Sequence, residues 1–196
     1  AIYARIGTSA AASIQICSTV MNLFMIVTFG LANAAVVIIG NEIGANRESE
    51  AISASKKISS LSFKISILLA IVLAFLSKPI VSFFNVSVEV KIASEYILYV
   101  YAFILVFKIY NAVMIVGILR GGGDATYGSI LQGLTLWLIG IPLAAFAAFI
   151  IKLPIYFVVM FAAVEEIIKV FFMMKRFKSF KWIKNMVNDE QNEVLT

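Results

Sequence analysis

Long uncharged apolar runs alternate with short polar punctuation along the whole chain. No charge interrupts residues 6–41 or residues 125–151. About 20 apolar residues at 1.5 Å rise cross a bilayer core, so runs of this length predict membrane helices. The first run predicts one tilted span from about Ser9 to Ile39, because only Gly30 offers a turn inside it. After the polar turn Gly40-Asn41-Glu42-Ile43-Gly44-Ala45-Asn46-Arg47, a second span is predicted over about Ile58–Ser77, ended by Lys78-Pro79. The connection Phe83–Ser87 leads to a helix starting at Val88, whose spanning part covers about Ser94–Leu119. A fourth span is expected over about Thr126–Ile150, kinked where Gly140 and Pro142 interrupt it. The fifth runs from about Ile155 to Met174. Residues 1–8 read as the end of an earlier helix and a loop. The fold class is therefore all-α, a polytopic membrane helix bundle of about five full spans. Residues 1–175 form the membrane lobe, and residues 176–196 a basic interfacial helix with a polar tail.

Composition reinforces this reading. Hydrophobic residues are 62% of the 196 and charged residues 14%, against roughly 45–50% apolar in soluble domains. One cysteine and no histidine leave neither a disulfide framework nor a zinc site. The net charge of +5 reports topology rather than nucleic-acid binding, because the cations cluster at the ends of apolar runs. Arg47, Lys56, Lys57, Arg120, Lys175, Arg176, Lys178, Lys181 and Lys184 fall on one side, and Arg5, Lys78, Lys91 and Lys152 on the other. The positive-inside rule puts the richer side, with the carboxyl terminus, in the cytoplasm of a cell (inner or plasma) membrane. The start at Ala1, without an initiator Met or a cleavable leader pattern, suggests a piece of a longer protein.

The candidate chemistry lies in the few polar groups inside the spans. A charge at mid-membrane costs roughly 2.5–3.5 kcal/mol on insertion scales, so such a residue normally faces a cavity or a partner. Lys108, Glu165, Glu166 and Lys169 are of this kind, with Lys108 and Glu165 near the centres of their spans. Glu165 and Lys169 are spaced for an intrahelical pair, and Glu166 is expected to meet Lys108 across the bundle. A structural ion pair and a protonatable, substrate-facing cluster both satisfy this pattern; Lys64, near a helix end, is expected to snorkel. Asn111 shares the helical face of Lys108 and reads either as a coordinating amide or as interhelical glue. Gln15, Asn22 and Asn33 should face other helices or an aqueous cavity rather than lipid.

The turn Arg120-Gly121-Gly122-Gly123-Asp124 lacks the spacing of a phosphate cradle. It predicts a helix stop at Gly121 and a restart capped by the Asp124 carboxylate. Phe177, Phe180 and Ile183, three apart beside Lys178, Lys181 and Lys184, predict a short helix in the membrane interface. No nucleophile–base pair or metal-ligand spacing suggests an enzyme.

Leu119-Arg120-Gly121-Gly122-Gly123-Asp124 after an apolar helix resembles the cytoplasmic turn between the tenth and eleventh helices of MATE multidrug efflux transporters. Gly40-Asn41-Glu42-Ile43-Gly44-Ala45-Asn46 is similar to the turn after their eighth helix, and the run from Glu165 to Lys184 resembles the last helix and tail of bacterial members. The resemblance implies the C-terminal lobe of a twelve-helix transporter, from the end of helix seven through helix twelve. It implies export of amphipathic or cationic compounds in exchange for H⁺ or Na⁺, with no other cofactor and with a missing N-terminal lobe as partner. In some members a carboxylate on helix ten takes part in coupling; the corresponding place here is Asn111, which cannot titrate. The expected cavity is lined by the first, third and fifth spans, with Lys108, Asn111 and Glu166 facing it. A lipid-linked saccharide flippase of the same superfamily and a non-transporting membrane scaffold are the alternatives.

Overall fold

The computed structural model describes residues 7–184, which contain helices and no strand. Helix α1 covers Thr8–Gly44, α2 Glu48–Ser82, α3 Val88–Leu119 and α4 Ala125–Ile150. The last segment is divided into α5, Ile155–Ala162, and α6, Val164–Lys178. Helices α1 to α4 are long and apolar enough to cross a membrane, so the chain is a multi-pass membrane protein. The expected stub at residues 1–6 and the polar tail at 185–196 lie outside the described residues.

Helices α1 and α2 extend beyond their predicted spans, because helix-compatible polar turns continue past the apolar runs. Helix α3 starts at Val88 as expected, and α4 matches its span within one residue. Pro79 does not end α2; it sits inside the helix, which closes at Ser82. A proline this near the end forfeits one backbone bond, and neighbouring packing tolerates the loss.

Small residues set the helix spacing. Ala32 and Ala35 of α1 face Gly117 of α3 so closely that a methyl on Gly117 would lie 2.9 Å from Ala35 Cβ and 3.2 Å from the Ala32 carbonyl oxygen. Four residues on, Gly121 meets the α1 backbone at Val36. This is close packing of small residues four apart, the usual means of joining membrane helices where burial from water supplies little force. Along α2, Ser55, Ser62, Ser66 and Ser77 are buried, and each hydroxyl donates to its own helix, as from Ser66 to the Phe63 carbonyl at 2.7 Å. They pack as small residues with no polar group left unmet.

Both polar turns at the glycine-turn end use the same stop. At the end of α3, Gly123 takes φ 86°; its N–H donates to the Arg120 carbonyl at 3.1 Å, and the Asp124 N–H to that of Leu119 at 2.8 Å. At the end of α1, Asn46 takes φ 58°, with its N–H to the Ile43 carbonyl and the Arg47 N–H to Glu42, both at 2.9 Å. The left-handed residue lets two orphan carbonyls find donors, and glycine or asparagine carries that conformation at least cost.

Two expectations fail at this end. Asp124 occupies the N-cap position of α4, yet its side chain caps nothing. Its carboxylate instead receives Arg176 Nε and Lys184 Nζ, each at 2.7 Å, because two fixed cations outcompete a single backbone dipole. Nor does the tail form an interfacial helix. Helix α6 stops at Lys178, Phe180 turns through φ 55°, and Trp182 folds back to be fully buried.

Candidate functional site

The polar residues inside the spans converge where α6 meets α3 and α4. Helix α5 stops and α6 restarts around Ala163 (φ −83°, ψ −6°), so the expected fifth span is two short helices. The break places Glu165 and Glu166 in the first turn of α6, where the exposed N–H groups of a helix start favour negative charge. Lys169 is buried between them, with Nζ 3.3 Å from Glu166 and 3.6 Å from Glu165.

Helix α4 reaches this cluster through two wide turns of the five-residue-repeat type, Leu136–Gly140 and Phe146–Ile150. Pro142 has no N–H to give the Leu138 carbonyl and its ring crowds that oxygen; a wide turn just before it relieves both. The predicted kink is thus realised as a local widening. Gly140, at its end, lies flat against the α5–α6 junction: a methyl there would come within 3.4 Å of the Glu165 side chain and 3.3 Å of the Ala162 carbonyl.

Asn111 of α3 closes the network from the other side. Its side-chain amide donates to the Glu166 carboxylate and to the Glu166 main-chain carbonyl, each at 2.8 Å. Both acceptors are oxygens, so the orientation of the amide is fixed by chemistry. Asn111 is therefore a bridge between α3 and α6 and does not line the cavity. Two carboxylates and one ammonium make up this buried group, and Lys108 brings a second ammonium to the same cavity.

In front of it opens a cavity of about 530 Å³. Its lining is apolar apart from Lys108, Glu165 and Glu166, with Tyr101, Trp137 and Met21 among the larger walls. Lys108 shares the cavity but makes no ion pair among the described residues, so the expected contact with Glu166 is replaced by Lys169 and Asn111. The walls also differ from expectation: α1, α3 and the α5–α6 segment contribute, and so does α4, through Leu136, Trp137, Gly140, Ile141 and Ala144. A cavity of this size with few placed polar groups has the character of a small-molecule site.

Asn22 stands apart. It follows Met21 along α1 but is exposed, as are Gln15 and Asn33. Spacings of 7 and 11 residues bring these three amides within roughly 20° on one helix face. They form a polar stripe that no other described helix covers. The glycine turn with Arg120 lies at one end of the bundle, remote in sequence from the cluster at Glu165; its Asp124 instead binds the α6 tail. Sequence reasoning missed Gly140 and α4. The available signal was Gly140 beside Pro142, which marked a distortion but not what the distortion accommodates.

The MatE family model matches residues 1–146, a stretch that includes both polar turns, Lys108, Asn111 and most of α4, while Glu165 and Glu166 lie beyond it. Comparisons with curated proteins and with solved structures give no match. With its apolar spanning helices, its two polar turns in order and this match over most of its length, the chain belongs to the MatE family of membrane transporters.

Proposed function

We propose that the chain is one lobe of a secondary active exporter that exchanges amphipathic, often cationic compounds for H⁺ or Na⁺ by alternating access. The observation that carries this reading is the largely apolar cavity, walled by Tyr101 and Trp137, that Glu165, Glu166 and Lys108 line together. Aromatic and aliphatic walls suit the apolar body of such a compound, and the Glu165 and Glu166 carboxylates suit its cation or the coupling ion. The helix break at Ala163 supports it too, since interrupted helices in transporters direct their ends at charged cargo. The stripe of Gln15, Asn22 and Asn33 adds an uncovered polar face inside a span, which fits an aqueous path shared with a second lobe. On this reading the glycine turn and the α6 tail are cytoplasmic.

The test is uptake of ethidium by proteoliposomes holding the full-length protein, driven by an imposed pH or Na⁺ gradient. Glu165→Gln and Glu166→Gln are expected to abolish gradient-driven uptake while the protein still reconstitutes. Full uptake by both variants sinks the assignment of the site, and no uptake by the wild type under either gradient sinks antiport itself. Stimulation by lipid-linked saccharides instead of ethidium would point to a flippase.

A further inference from the structure

The tail beyond α6 is built as a strap over the glycine turn. Trp182 is fully buried, stacks on Phe177 with ring centroids 5.9 Å apart, and donates its indole N–H to the Phe177 carbonyl at 3.1 Å. It lies against Gly122, where a methyl would come within 2.6 Å of the Trp182 carbonyl oxygen and closer still to its ring. The Lys184 N–H donates to the Gly122 carbonyl at 2.8 Å. Asp124, almost wholly buried, holds Arg176 and Lys184 together, and the Arg176 guanidinium also covers the Tyr127 ring at 4.7 Å. Backbone, ring and charge therefore fasten the same two segments at once.

What the strap joins gives it meaning. The turn it grips connects α3 to α4, and the helix it leaves is α6. These three helices carry Lys108, Gly140 and the Glu165–Glu166 pair respectively, the facing walls of the cavity. We propose that residues 179–184 are a latch that makes α3, α4 and α6 move as one body, so that the geometry between Gly140 and Glu165 survives any rearrangement of the lobe. Without the latch, α6 keeps its packing on α4, including the Gly140 contact and Arg176 on Asp124 and Tyr127. It also keeps its contacts with α3 through Asn111 and Tyr110. It loses the Lys184 and Trp182 fastening on the turn that joins α3 to α4. The proposal concerns this lobe's rigidity and stands whether or not the exporter reading holds.

The experiment uses thiol labelling of the full-length protein in proteoliposomes. Cys17 is fully buried, so within this chain Trp137→Cys supplies the reactive thiol on the α4 wall, and a full-length sample with the native residue at 137 gives the background. Labelling by N-ethylmaleimide is compared alone and combined with Asp124→Asn, Lys184→Met or Lys181→Ala. Hydrogen exchange over residues 179–184 reports latch opening independently. Loss of one charge-assisted hydrogen bond in the Lys184→Met combination is expected to change the labelling rate by about tenfold, and Asp124→Asn, which weakens two, by at least as much. The exposed Lys181→Ala control is expected to leave it unchanged. Faster exchange in residues 179–184 with an unaltered labelling rate overturns the proposal, because the tail then packs without coupling the walls. If Asp124→Asn fails to fold, the milder Lys184→Met gives the same two outcomes.

Discussion

Adding a single methyl at Gly117 tests the crossing of α1 and α3. The new Cβ would stand 2.9 Å from Ala35 Cβ and 3.2 Å from the Ala32 carbonyl oxygen. Both neighbours belong to helix backbones or to atoms bonded directly to them, so no rotamer change relieves the clash and the helices must separate. A radial gap of about 0.5–1 Å forfeits a quarter to a half of each dispersion contact along the seam, and overpacking of this kind costs about 1–3 kcal/mol. Gly117→Ala gains up to ~1 kcal/mol in helix propensity, so the net loss is about 0–2 kcal/mol and its size alone decides little. The coupling decides. Ala35→Gly alone costs about 1 kcal/mol in propensity, yet in the Gly117→Ala background it removes the nearer clash. The double variant should therefore be more stable than the sum of the single effects by about 1 kcal/mol, within the range for residues in contact. Thermal melting in detergent measures this, at roughly 2–4 °C per kcal/mol for a chain of this size. Strict additivity of the two substitutions would refute the close crossing. Only partial rescue is expected, because the Ala32 carbonyl remains in the way.

Two further outcomes follow from the polar contacts. Asn111→Ala removes both bonds to Glu166, and interhelical bonds in membranes average ~0.6 and reach ~1.7 kcal/mol. A loss of about 1–3 kcal/mol in detergent melting is expected, and Asn111→Asp should not restore it, since a carboxylate cannot donate to two oxygens. At Asp124 burial alone would raise the carboxyl, but hydrogen bonds and charge from Arg176 and Lys184 prevail and hold it below its ordinary value. A lowered folded value means that the clasp contributes fully above the unfolded value of about 3.9 and is lost as pH falls through the folded one. Acrylamide quenching of Trp182 in a Trp137→Phe background should be flat from neutral pH to about pH 5 and rise only in stronger acid; release near neutrality contradicts the ion-pair assignment.

The sequence was informative wherever the physics is local. Spans were legible because the free energy of placing an apolar residue in lipid hardly depends on its neighbours, and 36 consecutive uncharged residues leave little choice. The pairing of Glu165 with Lys169 was legible for the same reason, being set by helical spacing. Asn111 with Glu166 was not, because residues 55 apart meet only when the rotations of α3 and α6 are known. Lys108 was given the wrong partner on that account. Asp124 misled in another way: a carboxylate before a helix normally caps it, and only the end of α6 with the tail that follows supplied stronger partners.

The chain by itself thus determined an all-α membrane bundle, the family-bearing turns and which residues are expensive to bury. Tertiary structure decided where those residues go: the break at Ala163 that sets both glutamates at a helix start, the widened turn that brings Gly140 against Glu165, and the strap of Trp182 on Gly122. The division has one physical cause. Transfer into lipid and helix stopping are properties of a few successive residues, whereas a cavity wall or a buried ion pair depends on which faces of distant helices are turned toward each other.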